Sequence, residues 1–220
     1  MKLSPRLECV ANFVQSGARI ADIGTDHALI PIYLMLNNKI QYAVASDINS
    51  GPLEKAKINI AKYNMEDKIK LRLASGLNGI GDNEADTAII AGMGGELISA
   101  IISQNIPKSI ETLIMQPMSN AHELRKAIFS RGFTISREML AAEKNKIYLV
   151  ICAKRGLSEA WNERDCRISP LLKNDPLYQM FIKKELKKIN NAINQLIAGD
   201  DKNALYEFIK FKNWFEEELQ

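Results

Sequence analysis

Ile20-Ala21-Asp22-Ile23-Gly24-Thr25-Asp26-His27-Ala28-Leu29-Ile30-Pro31 decides how the rest of the chain reads. A short apolar run reaches an acid, then a glycine, and a helical pattern opens within a few residues. A first strand feeds a tight turn in this way in a nucleotide-binding α/β sheet. Glycine tolerates the φ > 0 conformations and close ligand approach that such a turn often needs. The dinucleotide fingerprint GxGxxG would want glycines where Asp26 and Ala28 or Leu29 stand. They are absent, so no glycine cradle for a pyrophosphate is visible.

The turn instead carries two carboxylates, Asp22 and Asp26. Carboxylates repel phosphate but suit a cofactor bearing an ammonium group and a sulfonium centre. A further acid, Asp47, follows the apolar run 42–45 and stands 23 residues after Gly24. That is the place of a carboxylate gripping ribose hydroxyls at the end of a second strand. Together these features predict an S-adenosylmethionine site and not a dinucleotide site.

Composition sets the frame. The 220 residues fit one ordinary domain plus an appendage, or two small domains, and 46% hydrophobic with 25% charged residues is a soluble globular balance. Cys9, Cys152 and Cys166 are odd in number and lack CxxC spacing, which suggests free thiols in a reducing compartment. With His27 and His122 as the only histidines, no zinc ligand set is visible, and no metal is expected. The N-terminus has no apolar core of signal-peptide length and no run approaches a membrane span. A cytoplasmic monomer with no membrane partner is expected. The net charge of +3 permits a polyanionic partner without demanding one.

Outward from the first turn, Ser4-Pro5 opens a helix with Leu7, Val10, Ala11 and Val14 on one face. Pro31 is tolerable only in the opening turn of the next helix, which ends at Asn37-Asn38. A second strand ends at Asp47, and a helix runs from Ser50 to about Tyr63. Lys68 to Leu73 alternates as a third strand, turning at Ser75-Gly76-Leu77. A fourth, apolar strand ends in Gly92-Met93-Gly94-Gly95, and a fifth ends at Gln116-Pro117. Asn120 and Glu123 form a capping-box-like helix start. Two further strands, 134–140 and 146–153, are close enough to pair antiparallel.

The expected fold is α/β: a mostly parallel, doubly wound Rossmann-like sheet with an antiparallel edge strand. Ligands on such sheets bind beyond the carboxyl ends of the strands, where all five turns converge. This domain is expected over residues 1–160. From 170 to 220 the pattern changes to a helical hairpin, coiled-coil-like, with Asp200 or Asp201 as a cap at its turn. Lys183, Lys184, Lys187 and Lys188 read either as a solvated face or as a basic strip for a polynucleotide.

Asp22-Ile23-Gly24-Thr25-Asp26-His27-Ala28, Gly92-Met93-Gly94-Gly95 and Gln116-Pro117-Met118-Ser119-Asn120, followed by the helical hairpin, resemble the bacterial tRNA (adenine-22-N1)-methyltransferase family. The resemblance covers almost the whole chain. It implies an S-adenosylmethionine-dependent enzyme acting on tRNA, with a coiled-coil tail that helps grip the substrate. It also implies that Asp22, Gly24 and His27 line the methionine end of the cofactor. Asp47 and Ile48 would hold the ribose, and Ser75, Gly76 and Leu77 would flank the adenine. Gly92 and Met93 would border cofactor and target base, and Gly94, Gln116 and Pro117 would shape the base pocket. Arg6 and the lysine strip are the candidate tRNA contacts.

The chemistry agrees with that resemblance. Adenine N1 has an in-plane lone pair, so attack on a methyl carbon needs position more than a general base. The product base is cationic, and Asp26 is the candidate carboxylate to stabilise the charge as it develops, or to accept a proton from the exocyclic amine. Its other reading is a cap for the following helix. Enzymes that methylate N6 commonly carry an Asn/Asp-Pro-Pro-aromatic motif where this chain has Gly92-Met93-Gly94-Gly95, so N6 chemistry fits less well. Two other readings stay open: a catalytically idle RNA-binding module, and a methyltransferase for another RNA or a small molecule.

Overall fold

The computed structural model describes residues 1–199 and 201–220, which form two compact units, Met1–Ala160 and Trp161–Gln220. The first unit holds a seven-stranded sheet of order β3-β2-β1-β4-β5-β7-β6. Its strands are β1 (Arg19–Ile23), β2 (Tyr42–Asp47), β3 (Ile69–Leu73), β4 (Thr87–Met93), β5 (Thr112–Pro117), β6 (Phe133–Glu143) and β7 (Lys146–Arg155). The first five are parallel, and β7 runs against both β5 and β6. Strand order reverses between β1 and β4, and a crevice opens at such a switch point.

Helices cover both faces, so the central strands are largely continuous apolar runs and do not alternate. Ile20, Ala21, Ala88, Ile89, Ile90, Leu113, Ile114 and Met115 are all fully buried. On one face, α1 (Pro5–Phe13), α2 (Leu29–Leu36) and α3 (Ser50–Lys62) pack Val10, Ile32, Leu34 and Ile60 onto Ile20, Ala43, Ile89 and Val150. On the other, α4 (Gly95–Ser103) and α5 (Ala121–Ser130) bury Ile98, Ile102, Leu124 and Ile128. Burying one such aliphatic side chain is worth about 1.5–3 kcal/mol, so the sheet–helix sandwich outweighs any single polar contact.

Local capping departs from the sequence reading. Ser4 holds the N-cap position of α1, its carbonyl accepting from Glu8 N at 2.8 Å, but its hydroxyl bonds Glu143 at the far end of β6 and caps no helix N–H. Asn120 takes the left-handed region (φ 50°), and its Nδ2 donates to Glu96 Oε1 at 2.8 Å, so the expected capping box does not form. Asp26 does not cap α2 either: the N-cap is Ala28, with no side-chain bond. The hairpin strands also run longer than expected, and β6 carries a bulge between Ile135 and Arg137.

The second unit begins with a short helix, α6 (Glu163–Arg167), which the sequence reading did not foresee. An antiparallel pair follows, α7 (Tyr178–Ile197) and α8 (Lys202–Glu217). Of the two candidate caps, Asp201 accepts from Ala204 N at 2.9 Å, and Asp200 lies outside the described residues. The buried positions cluster at one end of the pair: Tyr178, Phe181 and Ile182 against Phe211 and Phe215, with Arg167 stacked 3.4 Å over the Phe211 ring. Glu218 ties the same end by accepting from Tyr178 Oη at 2.8 Å and Arg164 Nη2 at 3.2 Å. The acidic tail is therefore engaged with this unit's own cations.

Candidate functional site

Gly24 ends β1 at φ 69°, and a Cβ there would fall on the Cε methyl of Met93. The end of β4 thus touches the turn after β1 across the switch point through a flexible methionine tip, and it is the positive φ that favours glycine at position 24. Thr25 anchors the turn twice. Its N–H donates to the Ser46 carbonyl at 2.8 Å, and its hydroxyl donates to Asp22 Oδ2 at 2.6 Å. His27 (φ 65°) and Ala28 (φ 52°) then both enter the left-handed region, which costs non-glycine residues about 1–2 kcal/mol each. Asn59 Nδ2 donates to the His27 carbonyl at 3.0 Å and holds this conformation. Asp26 points outward, its side chain 78% exposed, with Oδ1 3.1 Å from His27 Nε2.

Asp22 is buried beneath this turn. Burial pushes its carboxyl up to about 6, the Thr25 hydrogen bond opposes that, and the nearby Asp26 and Asp47 carboxylates add to the rise. At the end of β2, Asp47 Oδ1 accepts from Asn49 N at 2.7 Å, and the Asp47 carbonyl accepts from Ala74 N at 2.9 Å. Its other carboxylate oxygen keeps its acceptor capacity for a ligand. Ile48 and Leu73 stand exposed on either side, an apolar flank at the ends of β2 and β3. Ser75 is exposed, Gly76 takes φ 56°, and Leu77 is buried below them.

Across the switch point, β4 shifts register against β5 between Ala91 and Met93, and Gly92 (φ 80°) is the extra residue of the bulge. Bulges of this kind re-aim a strand end beside a site. Gly94 precedes α4, and Gly95 packs so tightly on the Ser119 and Asn120 carbonyls that a Cβ would collide with both. Met118 N donates to the Met93 carbonyl at 2.8 Å, joining the turns after β4 and β5. Gln116 is fully buried: its Oε1 accepts from Arg6 Nη1 at 2.7 Å, and its Nε2 donates to the Pro117 carbonyl at 2.9 Å. The Arg6 guanidinium also lies 5.6 Å over the ring of Tyr148 on β7.

The first unit therefore gathers Asp22, Gly24, Asp26, His27, Asp47, Ile48, Ser75, Gly76 and Leu77 along the carboxyl edge of the sheet. Gly92, Met93, Gly94, Gln116, Pro117 and Arg6 complete that edge. Lys183, Lys184 and Lys187 belong to α7 of the second unit; Lys183 and Lys187 are exposed, and Lys188 pairs with Glu185 at 2.7 Å. Sequence reasoning missed Tyr148, Thr25 and Asn59. Among the described residues no group of three or more His, Cys, Asp and Glu is placed to hold a metal ion, and no helix is long and apolar enough to cross a membrane.

Residues 3–151 match the family model described as a methyltransferase domain. A tRNA (adenine(22)-N(1))-methyltransferase of Bacillus subtilis is 38% identical over 162 residues, covering 73% of this chain and 68% of its own. The crystal structure of the B. subtilis m1A22 tRNA methyltransferase TrmK superposes with a TM-score of 0.90 at 30% identity, covering 100% of this chain and 99% of that one. Streptococcus pneumoniae Sp1610 in complex with S-adenosyl-L-methionine superposes at 0.89 with 30% identity, covering 100% of both chains. The glycine turns at the switch point, the acids at the ends of β1 and β2 and these relatives agree: the chain belongs to the tRNA (adenine(22)-N(1))-methyltransferase family of methyltransferase-domain proteins.

Proposed function

We propose that this chain transfers a methyl group from S-adenosylmethionine to N1 of adenine 22 in tRNA, acting as a cytoplasmic monomer. The observation that carries the reading is the 38% identity to the Bacillus relative of that name. The donor set at the sheet edge suits the cofactor. A buried carboxyl at Asp22 offers a partner for an ammonium group, and Asp47 keeps an unspent oxygen for ribose hydroxyls. Ile48 and Leu73 offer apolar contact to an adenine face. When bound, the cofactor supplies an activated methyl group.

The chain's own residues have three tasks. Asp22, Gly24, His27, Asp47, Ile48, Ser75, Gly76, Leu77, Gly92 and Met93 bind and orient the donor. The turn at Gly94 and Pro117 borders the entering base, which must be unpaired or flipped to expose N1. Asp26 places negative charge at the mouth, where it stabilises the base as it becomes cationic once bound tRNA displaces solvent. Lys183, Lys184 and Lys187 on the second unit, residues 161–220, meet the tRNA backbone. Incubation with labelled cofactor and bulk tRNA, followed by digestion to nucleosides, tests this reading. Labelled N1-methyladenosine is expected; bound cofactor without transfer would favour an idle RNA-binding module.

A further inference from the structure

The Arg6 guanidinium is positioned by neutral groups and not by a salt bridge. Among the described residues it forms no salt bridge, and its one hydrogen-bond acceptor is the neutral amide of Gln116, at 2.7 Å. Glu143, at the end of β6, accepts from the Arg6 backbone N–H at 3.2 Å and from the Ser4 hydroxyl, and it feels the Arg6 charge without forming a salt bridge to it. The Tyr148 ring supports one face of the guanidinium at 5.6 Å. Gln116 is itself fixed, because it is fully buried and its Nε2 is committed to the Pro117 carbonyl. The guanidinium stands 3.6 Å from where a Cβ on Gly92 would be, so it borders the bulge at the carboxyl edge of β4.

A cation held by a neutral amide and an aromatic face keeps its charge for a ligand, and a planar fork of donors suits an anion. It does not suit the face of the target base. That base gains positive charge in the reaction, and a guanidinium against it would raise the barrier. We infer that Arg6 binds a backbone phosphate adjoining the target nucleotide, with Gln116 and Tyr148 as its positioning residues. This inference rests on the tRNA reading above. It turns Gln116 from a wall of the base pocket into the support of a phosphate contact.

The test uses the full chain and tRNA carrying a neutral methylphosphonate, placed in turn at the phosphate 5′ or 3′ of the target adenosine. Arg6→Gln should raise the KM for unmodified tRNA about tenfold, as expected for losing one charge-assisted hydrogen bond. Its log KM against log salt should be shallower by about 0.7–0.9, the share of one phosphate. Cofactor affinity should not move. At one of the two positions the methylphosphonate should weaken wild type as much as Arg6→Gln does, and should cost Arg6→Gln nothing more. Tyr148→Leu should reproduce part of the loss, and Tyr148→Phe, which keeps the ring, should restore it. Losses that multiply at both positions, or an unchanged salt slope, would overturn the phosphate contact while leaving the methyltransferase intact. A wild-type enzyme that transfers no methyl to tRNA would instead remove the reading beneath it.

Discussion

Thr25 donates its hydroxyl to Asp22 across 2.6 Å, yet burial still holds the Asp22 carboxyl at about 6. A cofactor ammonium group bound beside Asp22, as proposed, would favour its ionised form, so proton and cofactor would compete for it. Cofactor affinity should be flat above pH 6 and fall below it, by up to about tenfold per pH unit. Stability of the free protein runs the other way. A carboxyl raised on folding contributes stability that is fully present below its unfolded value of 3.8 and lost as pH rises through about 6. That contribution is on the order of 3 kcal/mol. Asp22→Asn should abolish both dependences; calorimetry and denaturant melts from pH 4 to 8 would read them, and a wild-type affinity profile in the variant would detach Asp22 from the cofactor.

Asp47 spends one carboxylate oxygen on the Asn49 N–H at 2.7 Å, and the proposed cofactor site gives the other to ribose. Asp47→Ala should weaken S-adenosylmethionine binding by about 1–3 kcal/mol, the range for charge-assisted hydrogen bonds. Titration calorimetry at neutral pH checks it. Unchanged affinity would move the ribose site elsewhere.

Much of this edge is legible in the sequence, because its signals are local. The glycine at position 24, the acid at 47 and the apolar runs before them each declare a strand end within a few residues. What is not legible has no local signature. His27 and Ala28 enter the left-handed region without a glycine to announce it, held by an asparagine 32 residues away. Arg6 meets Gln116 across 110 residues, and the Ser4 hydroxyl turns from its helix to Glu143. The five-residue helix α6 is too short to show a period, and its place in the second unit comes from Cys166 and the Arg167–Phe211 stack. Propensity and spacing report the scaffold; tertiary contacts decide which polar groups remain for chemistry.

Asp26 is the test of charge at the site's mouth. Asp26→Asn keeps the shape, and since Asp26 caps no helix, folding and cofactor affinity should change little. If the charge acts on the developing base cation, kcat should fall by ~10²-fold, comparable to losing one preorganised electrostatic group. Single-turnover rates at saturating tRNA measure it directly. A fall of less than about threefold would leave Asp26 with the His27 contact alone.

Charge on the second unit should show itself through salt. Replacing Lys183, Lys184 and Lys187 together with Gln should raise the KM for tRNA and flatten its salt dependence by about 0.7–0.9 for each phosphate no longer neutralised. The KM for cofactor should stay as it was. An unchanged tRNA KM would make the strip a solvated face.

The methyltransferase assignment stands or falls on the identity and position of the transferred methyl group. A tRNA methylated by the purified chain, digested and separated without alkaline treatment, should yield N1-methyladenosine. A substrate with adenine 22 replaced by guanine should take up no label. N6-methyladenosine in the digest, or undiminished labelling of the substituted tRNA, would contradict the assignment.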